Sequence, residues 1–326
     1  MFSELKIRQL DFLTRFIMVA SANICVFLPF FTKLKYEAGI PYEVAKVLFC
    51  VVFLIIGALY YKYTRKEQKI YSIIISTAEL VFYSLLLGIL SYVAAYYGLG
   101  SQEKYLSELD HIIGFNWLVH YQIVESNPVL KNVLYYSYLS LMPQYVLALA
   151  ILHFFKKGEW LRIFINSFAL LAIISIVTSA FLPAVEADVY FGVTKAVKNG
   201  AVWSVKDLLQ AEHFLNLNNK TMTEIPLSNM QGIVSFPSFH TVAGLILVMC
   251  FSQTKWLSIP FLILNSLLIA ATPSMGGHYL VDTLAGAIIA LIGMAAILKF
   301  VQPGVPLFSI SLPTPFNKAS SLPQKI

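Results

Sequence analysis

YSIIISTAELVFYSLLLGILSYVAAYY, residues 71–97, contains one charged residue, Glu79, among apolar, aromatic and small side chains. With a rise of about 1.5 Å per residue, a helix of this length is longer than the roughly 30 Å of hydrocarbon in a bilayer. Similar runs occur along the whole chain. We predict about eight spans, at residues 12–31, 44–61, 71–97, 132–154, 161–183, 237–253, 256–273 and 279–301. The sequence therefore predicts an all-α protein, a polytopic bundle of transmembrane helices.

The composition supports the same fold class. Of the 326 residues, 58% are hydrophobic and 12% are charged, and the mean hydropathy is +0.73. Soluble proteins carry about 25% charged residues. The net charge of +6 is spread between apolar runs, which favours a membrane and argues against a nucleic-acid surface. Cys25, Cys50 and Cys250 lie in apolar runs without C-x-x-C spacing, so neither a disulfide nor a cysteine metal site is expected.

The distribution of Lys and Arg predicts the orientation. Residues 61–69 contain four basic residues and residues 156–162 contain three. Basic loops remain in the cytoplasm, so we expect both termini there, with a disordered cytoplasmic tail at 302–326. The loops at 98–131 and 184–236 then lie on the opposite face, and connections this long are uncommon unless they cover a site. We expect a bacterial inner or plasma membrane rather than a eukaryotic endomembrane.

The first polar motif is GIVSFPSFHT at residues 232–241, where the sixth predicted span begins. Pro237 suits the first turn of a helix, since the missing N–H is not needed there. Backbone donors around Ser238 and Phe239 would then form an anion site. His240 would lie next to that site.

The second motif is TPSMGGHYLVD at residues 272–282, before the eighth predicted span. Its two glycines permit a tight turn or close approach to a ligand. His278 and Asp282 are four residues apart, so on a helix the carboxylate can orient the imidazole and activate it as a nucleophile. Both motifs open spans that start from the same face, which predicts that His240 lies at the same depth. Two imidazoles, a carboxylate and backbone donors are the parts that phosphoryl transfer requires.

Residues 235–240, SFPSFH, and residues 276–282, GGHYLVD, resemble the second and third signature motifs of the type 2 phosphatidic acid phosphatase superfamily. The resemblance is closest to its inositol phosphorylceramide synthase-like branch. It implies that His278 becomes phosphorylated, that Asp282 orients His278, and that His240 is the acid and base.

The resemblance also implies an activity and a domain arrangement. We expect an integral membrane lipid phosphatase or phosphotransferase that acts on a lipid phosphate or phospholipid through phosphohistidine, without a metal or cofactor. A six-helix core would occupy 71–301, preceded by two extra spans in 1–70. The active site would lie on the periplasmic, extracytoplasmic or lumenal face.

The sequence departs from the phosphatase pattern in its arginines. It contains no Arg-Pro pair, and its four arginines lie at the predicted cytoplasmic ends of the spans. The phosphate charge must then be met by lysine, which is a point charge without the bidentate guanidinium fork, by helix N-termini, or by the substrate's own partner. The candidate lysines are Lys195, Lys198, Lys206 and Lys220. Since sphingolipid-type transferases also lack these arginines, the pattern favours transfer over hydrolysis. We expect the substrate to contact Ser238, Gly277, Tyr279 and Lys206.

Other interpretations fit the same polar residues. The two histidines and the aspartate are a possible metal ligand set, and they are also a possible proton relay of a transporter or lipid flippase. A further alternative is that the chain is an inactive member of the family. Glu79 is expected to face the bundle or water, because a carboxylate is costly in lipid. His213 is predicted to be a surface residue, and the tyrosines at 135–138 are predicted to belong to the interfacial aromatic belt.

Overall fold

The computed structural model describes residues 4–155, 158–193, 205–252, 254, 256–301 and 303–304. Within these residues the chain forms 13 α-helices and one two-stranded sheet, which confirms the all-α class. The helices are α1 (Glu4–Phe31), α2 (Tyr42–Tyr63), α3 (Gln68–Tyr97), α4 (Glu103–Ile112), α5 (Trp117–Ser126), α6 (Pro128–Leu139), α7 (Leu141–Phe154), α8 (Gly158–Phe181), α9 (Ala187–Tyr190), α10 (Val205–Asn218), α11 (Phe239–Phe251), α12 (Ser258–Met275) and α13 (Leu280–Val301). The strands are β1 (Lys35–Tyr36) and β2 (Glu224–Ile225).

Fewer helices meet the length and composition of a membrane span than the sequence predicts. Within the described ranges, six helices are long and apolar enough to cross a bilayer, namely α1, α2, α3, α8, α12 and α13. The predicted span at 237–253 contains α11, whose 13 residues reach only about 20 Å, so it is not among these candidates by length. By length and composition, the described residues contain six candidate spans, or seven with one bent pair, where the sequence predicts about eight.

The seventh candidate span is a bent pair of helices. The predicted span at 132–154 divides into α6 and α7, which meet at Ser140 with a bend of 47°. Pro143 explains the break, because it has no N–H to donate to the carbonyl of Leu139 and its ring would clash with that carbonyl. A continuous apolar run therefore contains a change of direction.

The short helix α11 occupies the centre of the bundle. It contacts α7, α8, α12 and α13, and nearly every side chain from Thr241 to Phe251 is buried. By contrast, α2 is the least buried of the six long helices and packs mainly on α3. A helix that is apolar on all sides needs either protein or lipid around it. Protein surrounds α11, and α2 has the surface of a lipid-facing helix.

The long loop at 184–236 is fastened to the connection between α1 and α2. Strands β1 and β2 pair in parallel, with Lys35 N donating to Thr223 O at 2.8 Å and Glu37 N donating to Ile225 O at 3.1 Å. The loop also docks on α3 through His213. These contacts hold the part of the loop from His213 to Gln231 over one end of the bundle.

His213 is buried, so its prediction as a surface residue is wrong. Its Nδ1 lies 2.8 Å from the hydroxyl of Tyr92 on α3. That hydroxyl accepts a hydrogen bond from Gln231 N at 2.9 Å. The hydroxyl proton is therefore available to His213, and the three groups join two parts of the loop to a membrane helix.

Candidate active site

A cavity of about 510 Å³ lies among α3, α7, α8 and α11, beneath the loop at 184–236. At one end its wall contains His240 and His278 together with Tyr138, and two carboxylates, Glu186 and Asp188. Farther from this end the wall is largely apolar. Histidines from both sequence motifs therefore face a single cavity.

His278 and Asp282 form a buried pair at the start of α13. His278 Nδ1 is 3.4 Å from Asp282 Oδ2, and the same oxygen accepts a hydrogen bond from Tyr279 N at 3.0 Å. The exposed fractions of the two side chains are 5% and 0%. The carboxylate thus orients the imidazole through Nδ1.

Burial also affects the ionisation of His278. Removal from water lowers the pKa of the imidazole to about 4, and a hydrogen bond with the backbone of Ser235 acts in the opposite direction. A protonated imidazole has two N–H donors and no lone pair to share. The neutral ring that prevails at neutral pH is therefore the nucleophilic form.

The loop that carries His278 is held from outside by α4 and α5. Asp110 on α4 accepts hydrogen bonds from the backbone N–H groups of Leu280 and Val281, both at 2.9 Å. Trp117 Nε1, on α5, lies within hydrogen-bond distance of two carbonyls, Pro273 O at 3.0 Å and His278 O at 3.1 Å. Asp110 therefore caps α13 from another helix, and Trp117 anchors the turn that precedes it.

The two glycines before His278 are required by close contacts. Gly277 has φ +61°, and a Cβ there would collide with Asp188 Oδ1. A Cβ on Gly276 would lie 2.7 Å from the hydroxyl of Tyr138. Side chains at these positions would therefore displace the groups that surround the imidazole.

The start of α11 differs from the prediction. The helix begins at Phe239, and Ser238 is its N-cap, with Oγ accepting a hydrogen bond from Thr241 N at 3.4 Å. Pro237 lies before the cap, so its predicted place in the first turn is wrong. A serine that can accept from the first turn is a better cap than proline, which explains the later start.

Contact between α11 and α13 brings the two histidines together. The amide of Ser238 donates to Asp282 O at 3.0 Å, so this amide is not available for an anion as predicted. Gly286 permits the contact, because a Cβ there would collide with the carbonyl oxygen of Ser238. The ring centroids of His240 and His278 consequently lie 6.2 Å apart, near enough to act on one bound group.

Sequence reasoning missed Tyr138. It was expected in an aromatic belt, but its ring stacks on His240 with centroids 4.4 Å apart and planes at 20°. Its hydroxyl is 3.3 Å from His240 Nδ1. The signal was weak, since Tyr138 is one of a run of tyrosines and lies 102 residues from its partner.

The predicted substrate contacts have different surroundings. Gly277 lines the cavity, whereas Ser238 and Tyr279 are fully buried beside it and are not in its wall. Tyr279 packs in a cluster that includes Leu106 and Trp117. The side chain of Lys206 lies outside the described residues, as do Lys195 and Lys198.

The described wall of the cavity contains neither an arginine nor a lysine that could bind a phosphate group. Lys220 lies elsewhere, with Nζ 4.4 Å from the ring centroid of Tyr96. Arg15 and Arg162 are both paired with Glu79, away from the cavity. Among the residues that can be described, no group of three or more His, Cys, Asp or Glu side chains is arranged to hold a metal ion.

Comparison with known proteins agrees with the motif geometry. The family model of the PAP2 superfamily, the type 2 phosphatidic acid phosphatases, matches residues 104–296. This is more than half of the chain, and it includes both motifs and the helices that position them. The comparison with curated proteins and the comparison with solved structures each gave no match. The chain belongs to the PAP2 superfamily.

Proposed function

We propose that this membrane protein is a lipid phosphatase or phosphotransferase that works through phospho-His278. Membership of the PAP2 superfamily supports chemistry of this general type. The observation that most directly supports the specific proposal is the buried His278–Asp282 pair, which faces His240 across the end of one cavity. Asp282 would orient the nucleophile, and His240 would be the general acid and base.

The reaction would proceed in two steps. His278 Nε2 attacks phosphorus, and a P–N bond forms while the bond to the leaving oxygen breaks. His240 donates a proton to that oxygen. In the second step an acceptor hydroxyl gives its proton to His240 and attacks phosphorus, which breaks the P–N bond and restores His278.

The cavity favours a lipid over a soluble phosphate ester. Its histidine end is polar, whereas side chains such as Leu87, Phe168 and Ile176 line the remainder. A molecule with a phosphate group at one end and hydrocarbon at the other would match both regions. The substrate class that we propose is therefore a lipid phosphate or a phospholipid.

Phosphate binding without arginine is consistent with transfer, as in the inositol phosphorylceramide synthase-like branch that the motifs resemble. The first backbone N–H groups of α11, at Phe239 and His240, would supply donors and a favourable helix dipole. Lys206 is the side chain that we propose to add positive charge. The acceptor in such a reaction would be the alcohol of a lipid or polyol headgroup.

The topology follows from the same proposal. We assign the catalytic core to 71–301 and treat the spans within 1–70 as an addition to it. The site would open on the non-cytoplasmic face, since the basic loops at 61–69 and 156–162 belong to the other end. The tail at 302–326 would be cytoplasmic.

The test is turnover of a panel of lipid phosphates and phospholipids by purified protein. His278→Ala should abolish both turnover and phosphoenzyme formation. His240→Ala should slow turnover by about 100-fold or more. His153→Ala, at the opposite end of α7, is the control and should behave as wild type. Full activity of the His278→Ala protein would refute the assignment.

Product analysis separates the two reaction types. The same panel is assayed with and without alcohol acceptors, and products are identified by mass. With an alcohol present, a transferase should form a new phosphomonoester of that alcohol from a lipid phosphate, or a new phosphodiester from a phospholipid. A phosphatase should release inorganic phosphate from a lipid phosphate in both conditions.

A further inference from the structure

The cavity continues from the histidines into the apolar interior as a slot between α3, α7 and α8. On α3 its wall consists of Ser84, Leu87, Gly88 and Ser91, which share one helix face because they are three or four residues apart. Ser84 and Ser91 are two turns apart, about 10 Å along the helix. The slot is therefore long enough for several methylene groups of a chain.

The serine hydroxyls of the slot are satisfied by the protein itself. Each of its three serines donates its hydroxyl proton to a carbonyl of its own helix. The bonds are Ser84 to Leu80 O at 2.8 Å, Ser91 to Gly88 O at 2.6 Å, and Ser175 to Leu171 O at 2.9 Å. A hydroxyl that already donates does not require a polar ligand. These small side chains therefore leave the slot wide, and the ligand need not hydrogen-bond to them. Hydrocarbon is the chemistry that such a wall accepts.

The slot opens sideways between α3 and α7. Ser84 and Met142 both line it and are both exposed, Met142 to 67%. The neighbouring slot residues Leu141 and Tyr145 are buried. An exposed position in a span faces lipid and not water. The opening therefore connects the slot with the bilayer.

We propose that one hydrocarbon chain of the lipid substrate occupies this slot during phosphoryl transfer and enters it from the bilayer between α3 and α7. The inference rests on the proposed function. It extends that function because α3 precedes the residues that match the superfamily, 104–296. A helix outside the matched segment would thus help to set which chains are accepted.

The test uses two substitutions on one face of α7. Met142→Trp places an indole at the edge of the slot, whereas Val146→Trp places one a turn away, at a position that is 66% exposed but does not line the slot. Each protein is assayed with a lipid phosphate that the wild type turns over, in its dioleoyl form and its dihexanoyl form. Met142→Trp should lower kcat/KM for the dioleoyl lipid by about tenfold or more. For the dihexanoyl lipid it should change kcat/KM by less than about twofold, and Val146→Trp should have little effect on either.

The outcomes distinguish this inference from the function on which it rests. Equal behaviour of the two tryptophan variants on the dioleoyl lipid would overturn the slot and leave phosphoryl transfer standing. An equal loss on long and short chains in Met142→Trp would also overturn it, since that pattern indicates damage to the catalytic end. If the wild type turned over no lipid phosphate of either length, both proposals would fail.

Discussion

Tyr138 is positioned to control His240 at the level of single atoms. Its ring covers one face of the imidazole, and its hydroxyl lies 3.3 Å from Nδ1. With Nδ1 turned to the hydroxyl, Nε2 is the nitrogen left for proton exchange with the substrate. We infer that Tyr138 positions His240 and does not itself take part in the chemistry.

Tyr138→Phe tests this role, because it removes the hydroxyl and keeps the stacked ring. We expect kcat to fall about threefold to tenfold, as for the loss of one hydrogen bond of about 0.5–1.5 kcal/mol. KM should change little, so the loss should appear in kcat. Tyr136→Phe is the matched control on α6, with a side chain that is 68% exposed. A Tyr138→Phe enzyme with the kcat of the wild type, or with its loss confined to KM, would contradict the inference.

The sequence could predict some of these side-chain pairs and not others. His278 and Asp282 are four residues apart, so helix geometry alone is enough to suggest that they meet. His240 required the further assumption that two spans start from the same face. The partnership of His240 with Tyr138 depends on how α6 packs against α11 and α12, and no local pattern contains that information.

At the scale of elements, α4 and α5 act as a clamp on the start of α13. Asp110 satisfies two of the backbone N–H groups that every helix leaves unpaired at its N-terminus. Burial raises the pKa of Asp110, while the two backbone hydrogen bonds lower it. The loop at 98–131 therefore stabilises the start of α13 at the candidate site. Its length alone had suggested a role of this kind.

Asp110→Ala should both destabilise the protein and slow the reaction. Losing the cap and leaving two half-buried N–H groups unpaired should cost about 1–3 kcal/mol. The thermal midpoint in detergent should fall, and kcat should fall further than KM changes, because the backbone next to His278 is released. Glu108→Ala is the control on the same helix, where the side chain is 60% exposed. A normal melting curve for Asp110→Ala would show that the cap contributes no stability.

Element boundaries were the least predictable part of the fold. The apolar run at 132–154 predicts one straight span, although Pro143 contained the signal for its break. The run at 237–253 predicts another span, but its first residues form the polar turn before Phe239 and only 13 residues are helical. Hydropathy measures apolar content. It does not detect where a capping side chain begins a helix or where a proline interrupts one.

At the scale of the whole molecule, an ionic network that is buried except at Arg15 joins the N-terminal helix to the core. Arg162 on α8 contacts Asp11 on α1 at 2.8 Å and Glu79 on α3 at 2.5 Å. Arg15 on α1 contacts the other oxygen of Glu79 at 2.6 Å. Glu79 therefore faces the bundle as expected, with partners that neutralise its charge. The network contains two cations and two carboxylates, so removing any one member leaves an uncompensated charge.

Arg162→Met should consequently be among the most damaging changes outside the candidate site. Breaking a buried ion pair on one side costs about 3–5 kcal/mol, and we expect a clear fall in the thermal midpoint in detergent. Adding Asp11→Asn should recover part of the loss, because the double variant restores neutrality. The control is Arg8→Met, since Arg8 and its partner Glu4 are exposed to 74% and 78%, and such pairs contribute about 1 kcal/mol or less. Equal thermal midpoints for Arg162→Met and Arg8→Met would show that the network does not hold α1 against α3 and α8. Apolar packing alone would then have to join the N-terminal helix to the catalytic bundle.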